Sequence, residues 1–219
     1  MAQAWRIGLG AVLAAGLAGG ILWTPRERWA NPFGVTPTPI ATANVAGSPV
    51  RQQPNDQTYQ ETIRHYRLPD LNLTDMNGDT MRLGTALRES TPIILEFMYT
   101  TCSGVCPISS ALLAQAQSEL AIGHADVRVW SISIDPDADT PDRLRLYAQL
   151  YGAGPNWRFF TGGLDDIVSL QAAFDVYRGN KMRHEPVIFI RAHGDRWARV
   201  NGLPSASELV AEFRRVTGS

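Results

Sequence analysis

Apolar runs of strand length alternate with helix-period segments through most of the chain, and this alternation predicts an α/β fold with a mainly parallel central sheet and flanking helices. Two further observations place that domain. The first 23 residues form an apolar stretch with no charge between Ile7 and Leu22, which predicts one N-terminal transmembrane helix. Residues 24–58 then carry Pro25, Pro32, Pro37, Pro39, Pro49 and Pro54 among many Thr, Ala and Asn, with no sustained apolar period. Such a segment cannot bury a core and reads as a tether. The predicted organisation is therefore a membrane anchor over 1–23, a tether over 24–58 and a folded domain over 59–219.

The anchor runs from Trp5 to Trp23, with Arg6 free to snorkel. Its 19 residues would span about 28 Å as a helix, close to the hydrocarbon thickness of a bilayer. Tryptophans at both ends fit the interfacial belts. The alternative is a cleaved signal peptide, but Trp23-Thr24-Pro25 stand where a small-residue cleavage site would be expected. No Arg-rich transit peptide is visible. The expected setting is a bacterial inner membrane crossed once, with the soluble domain in the periplasm.

Within the domain, Leu68, Leu71 and Leu73, then Asn77-Gly78, then Met81 and Leu83 predict a hairpin. The apolar run 92–98, with Glu96 inside it, predicts a buried strand. Ile108, Ala111, Leu112, Ala116 and Leu120 recur at helical spacing and predict a helix over 108–120. A second buried strand follows at 127–134. Thr140-Pro141 supplies an N-cap and a first-turn proline for a helix running to about Tyr151. A short strand over 157–160 and a helix over 164–174 come next. Strands at 187–190 and 197–200 flank His193-Gly194-Asp195 as a hairpin, and Ser205 caps a last helix over 205–216. A closing antiparallel hairpin and final helix give the thioredoxin-like arrangement. Trp130, Trp157 and Trp197 are expected in or near the core.

Net charge is −1, with 44% hydrophobic and 19% charged residues. This is an ordinary globular balance without the basic stripe of a nucleic-acid binder, so no nucleic-acid partner is expected. The only two cysteines, Cys102 and Cys106, are too few for a disulfide-stapled scaffold. They follow the strand ending near Met98, where open α/β sheets place their chemistry. At a spacing of four they lie one helical turn apart, about 6 Å between Cα atoms, near enough for a disulfide or for two thiolates on one metal. A nearby helix N-terminus favours the thiolate. Structural zinc and iron–sulfur sites usually want four ligands, whereas two thiolates and an imidazole suit copper. A pair of small buried thiols with no further role is the alternative.

Of His65, His124, His184 and His193, three occupy positions that suit surface or turn residues. His184 differs: it stands two residues before Pro186, just ahead of a strand. In thioredoxin-like folds that loop packs against the cysteine loop, and its proline is typically cis.

The segment Phe97-Met98-Tyr99-Thr100-Thr101-Cys102-Ser103-Gly104-Val105-Cys106-Pro107 resembles the signature of the Sco/SenC family, whose Thr-x-Cys-x-x-x-Cys-Pro loop carries two metal thiolates. Ser131-Ile132-Ser133-Ile134-Asp135-Pro136 with Asp139-Thr140-Pro141, and Trp157-Arg158-Phe159-Phe160-Thr161-Gly162, resemble two further blocks. His184 matches the position of that family's histidine ligand. The resemblance covers roughly 66–216. It implies a copper site, Cu(I) or Cu(II), on Cys102, Cys106 and His184. It also implies a metallochaperone that serves the copper A site of cytochrome c oxidase subunit II or a related copper protein. Arg183, where the family often has aspartate, and Pro186, more typical of thiol-disulfide oxidoreductases, depart from the pattern. They keep open a thiol-disulfide reductase acting through Cys102 and Cys106 that keeps a partner's cysteines reduced. A peroxiredoxin-like reading fails, because Tyr99 and Ser103, not threonine, stand three residues before the cysteines. Asp135, Asp137 and Asp139 could support a metal site from behind, but a turn and helix start explains them more simply.

Overall fold

A computed structural model describes residues 58–122 and 126–219. The expected anchor, most of the tether and His124 lie outside these residues. Among the described residues, no helix is long and apolar enough to cross a membrane.

The strands are β1 (Tyr59–His65), β2 (Asn72–Asp75), β3 (Thr80–Arg82), β4 (Ile93–Met98), β5 (Arg128–Ser133), β6 (Trp157–Thr161), β7 (Val187–Arg191) and β8 (Arg196–Gly202). The helices are α1 (Leu83–Ala86), α2 (Val105–Ile122), α3 (Pro141–Leu150), α4 (Leu164–Ala173) and α5 (Ala206–Thr217). The strands form one sheet in the order β1-β8-β7-β4-β5-β6-β2-β3. Only β4–β5 and β5–β6 pair in parallel; the other five pairings are antiparallel. The sheet is therefore mixed, not mainly parallel. Crossover helices α2 and α3 impose parallel pairing at its centre, hairpins make β2–β3 and β7–β8 antiparallel, and the long-range pairings β1–β8, β2–β6 and β4–β7 are antiparallel as well.

All six residues of β4 are buried. Ile94 and Met98 face a core that α2, α3 and α5 cover through Leu113, Leu144 and Leu209, among others. Ile93, Leu95 and Phe97 face a second core closed by α1 and α4 through Leu83, Ile167 and Leu170. The period of two along the strand thus feeds two apolar layers, which is why the run reads as continuously apolar. Trp130, Trp157 and Trp197 are each at most 1% exposed, within these cores.

The helix ends follow from local chemistry. Thr140 accepts from the Arg143 amide, and Pro141 opens α3. Ser205 and Glu208 form a reciprocal capping box at α5, and Gly218 ends that helix at φ 75°, a left-handed conformation suited to glycine.

Glu96 points from β4 into the first core. It accepts hydrogen bonds from Ser109 Oγ at 2.5 Å and Ser131 Oγ at 2.7 Å, while Trp157 Nε1 donates to Ser131 Oγ at 2.9 Å. Burial pushes its carboxyl up to about 7, against the hydrogen bonds from Ser109, Ser131 and Ser110. A carboxyl raised on folding contributes stability that is fully present below its ordinary value of 4.5 and lost as pH rises through about 7. The loss should amount to roughly 3 kcal/mol. Chemical denaturation at pH 5 and pH 8 should show Glu96→Gln losing less stability than the parent over that interval. Equal losses would remove Glu96 as the source.

Candidate metal centre

β4 ends at Met98, and the cysteine loop follows at once. Cys102 is half-buried and Cys106, in the first turn of α2, is 1% exposed. The two thiols are free. The Cys102 amide donates to the Tyr99 carbonyl at 3.1 Å, and the Cys106 amide donates to Cys102 Sγ at 3.5 Å. Cys102 thus meets the open amides at the start of α2. Burial pushes its thiol up, but hydrogen bonds from the Cys106 thiol, the Cys106 and Gly104 amides and the Tyr99 hydroxyl outweigh burial and bring it below the ordinary range. Burial, and then the neighbouring Cys102 sulfur, push Cys106 well up. Cys102 is therefore the thiol that ionises first. Burial and the bond to Cys102 push Tyr99 up to about 12, so its hydroxyl stays a donor at neutral pH.

The acidic residues divide between two loops. Asp139, fully buried, accepts from the Thr100 amide at 3.0 Å, from Thr100 Oγ1, and from Ser133 Oγ at 2.6 Å. It ties the end of β5 to the residue two before Cys102. Asp135 pairs with Lys181, on a 3-10 turn at Lys181–Arg183. Asp137 is exposed. Asp139 thus does more than start a helix: it fixes the cysteine loop from behind.

His184 follows the 3-10 turn directly. It is partly exposed and lines a cavity of about 370 Å³ with Ile134, Asp135, Leu164, Gln171 and Tyr177. Burial lowers the imidazole below its ordinary range, with the Phe97 backbone and Glu185 opposing, so it is neutral at pH 7 and able to ligate. The described residues contain no group of three His, Cys, Asp or Glu side chains gathered closely enough to hold a metal ion. The structure joins Cys102 to Cys106, whereas His184 sits on the adjacent loop without completing a three-ligand set. That loop is held to the cysteine loop by other residues. Tyr99 Oη donates to Met182 Sδ at 3.6 Å, and the Lys181 ammonium lies 5.6 Å from the Tyr99 ring centroid.

No cis peptide occurs among the described residues, so Pro186 is trans. Its carbonyl accepts from the Gly202 amide at 2.9 Å, which docks the loop onto β8 with the isomer that proline itself prefers. His65 pairs with Asp195 on the surface, and His193 is exposed in the β7–β8 turn. Tyr99, Lys181 and Met182 escaped a sequence search limited to cysteine, histidine and acidic residues. Their position directly beside the two motifs was the available signal.

A family model described as SCO1/SenC matches residues 59–214. The SCO1 protein homolog of Bacillus subtilis (strain 168) is 36% identical over 70 residues, which cover 32% of this chain and 36% of that protein. The chain thus matches about a third of that relative's length. BsSco, a member of the Sco family of cytochrome c oxidase assembly proteins in which a disulfide switch has been identified, has a similar fold. Its TM-score is 0.62 at 21% identity, covering 70% of this chain and 95% of that one. Bradyrhizobium japonicum ScoI with copper bound gives a TM-score of 0.56 at 24% identity, covering 66% and 96%.

The two aspartates separate structural support from solvent decoration. Asp139→Ala should lower stability by about 2 kcal/mol in urea denaturation, because the buried Ser133 hydroxyl and the two part-buried Thr100 donors lose their acceptor. Asp137→Ala should change it by less than about 0.5 kcal/mol. Similar effects from both would contradict this division.

Proposed function

The chain belongs to the SCO1/SenC family, and from that premise we propose that it is a copper-binding assembly protein whose site is built on Cys102, Cys106 and His184. The observation that carries the proposal is the free cysteine pair at the start of α2, with one thiol held below its ordinary range beside a loop that carries a neutral imidazole. Thiolates and imidazole are the donor set that copper favours, with thiolate suiting Cu(I) and imidazole either oxidation state. Copper, when bound, would act as cargo. The protein's own part is to keep Cys102 ready to ionise, to hold Cys106 under cover, and to keep both loops at one sheet edge.

Delivery of copper to the copper A site of cytochrome c oxidase subunit II, or to a related copper protein, is the role we assign. It would operate from an inner-membrane anchor with the domain in the periplasm. A second reading draws on the unequal thiols. Cys102 is an attacking thiolate and Cys106 a sheltered resolving thiol, the arrangement of a thiol-disulfide reductase. Such an enzyme would keep a partner's cysteines reduced without using His184.

Copper stoichiometry of the fully reduced protein tests the first reading. One copper per chain is expected, lost in the double variant Cys102→Ser, Cys106→Ser and weakened roughly 10-fold or more by His184→Ala. No copper bound, or binding indifferent to His184 combined with parental disulfide-reductase turnover in His184→Ala, would transfer the assignment to the reductase.

A further inference from the structure

The loop before β7 carries a second soft donor, Met182, against Tyr99 at the start of the cysteine loop. Met182 lies at the centre of the 3-10 turn and is 73% exposed. Exposure alone would mean little, but both ends of this residue are held. Its amide donates to Asn180 Oδ1 at 2.9 Å, and its sulfur accepts from Tyr99 Oη at 3.6 Å. Tyr99 is itself buried, stands three residues before Cys102, and accepts from the Cys102 amide through its carbonyl at 3.1 Å. One tyrosine thus ties the Met182 thioether to the start of the cysteine loop. The neighbouring Lys181 secures the turn by pairing with Asp135 and lying over the Tyr99 ring. His184, on the same loop, contributes instead to the cavity beside Ile134 and Leu164.

We propose that Met182 is a Cu(I) ligand, supplying a thioether beside the Cys102 and Cys106 thiolates; this rests on the copper reading above. A neutral thioether is a soft donor that prefers Cu(I) and contributes little to Cu(II), for which imidazole is the better partner. The loop therefore offers a Cu(I)-selective donor, Met182, beside His184, whose imidazole suits either oxidation state. Because Met182 is exposed, its sulfur is also the donor that an incoming copper acceptor could displace from outside.

The test uses the full chain, purified in detergent and fully reduced, with copper itself as the probe. Cu(I) affinity is measured without oxygen against a chromogenic Cu(I) chelator, and Cu(II) affinity against a Cu(II) chelator, for the parent, Met182→Leu and His184→Ala. Leucine preserves the volume at an exposed position, so the fold should persist, and an unchanged melting temperature checks this. Met182→Leu should weaken Cu(I) binding about 10-fold and leave Cu(II) binding within about twofold, whereas His184→Ala should weaken both. Selenium-edge X-ray absorption on selenomethionine-labelled, Cu(I)-loaded parent should show a copper neighbour that disappears in Met182→Leu. Parental Cu(I) affinity in Met182→Leu, or no copper neighbour to selenium, overturns the assignment of Met182 alone. A parent that binds no copper overturns the copper reading and this inference with it.

Discussion

Everything at the candidate site depends on how β4 is paired. β5 runs parallel to it, with Met98 opposite Ser133, so both strands deliver their following loops to the same sheet edge. β7 runs antiparallel, with Glu96 opposite Ile188, so the loop that precedes β7 arrives at that edge as well. The cysteine loop, the Asp-Pro loop and the histidine loop are therefore neighbours before any side chain acts. A fully parallel sheet would send the start of β7 to the far end. The mixed topology is what gathers the site.

On that frame, a few polar contacts decide how firmly each loop is held. Asp139 restrains the cysteine loop through Thr100, and Asp135 restrains the histidine loop through Lys181, so both loops are referred to the end of β5. The restraints differ in strength. A fully buried carboxylate with three donors is costly to disrupt. A partly exposed ion pair is screened and contributes little. The cysteine loop is thus the more firmly held side of the site and the histidine loop the less firmly held.

Much of this was legible in the residues. Thr140-Pro141 and Ser205 with Glu208 mark helix starts because caps are local interactions. The buried strands β4 and β5 show as apolar runs, and the cysteine spacing points to paired thiols. The two hairpins, β2–β3 and β7–β8, were legible as antiparallel from their turns, but the direction of the non-consecutive pairings β1–β8, β2–β6 and β4–β7 was not, because the pattern along a strand records which face is buried and says nothing of its neighbour's polarity. β1 escaped for a related reason: in Tyr59–His65 only Tyr59 is buried, and the strand is held by its pairing with β8 and not by an apolar face. The short turn at Lys181–Arg183 carries no periodic signal at all. Nor does the approach of Met182 to Tyr99, which are 83 residues apart in the chain and brought together by the sheet.

The unequal thiols suggest why a copper role and a disulfide role can share one scaffold. In both, the Cys102 proton leaves readily and the Cys106 proton is the harder one to remove, because burial and the adjacent sulfur favour the neutral thiol. Beneath it lies Glu96, whose ionised form would raise Cys106 further. Keeping Glu96 protonated up to about pH 7 spares the site a second negative charge in the same apolar layer. A bound metal would offset the cost of the second thiolate with its own charge, whereas a disulfide would avoid that cost by forming a bond. Both outcomes meet the same electrostatic obstacle, set by the depth of Cys106 at the start of α2.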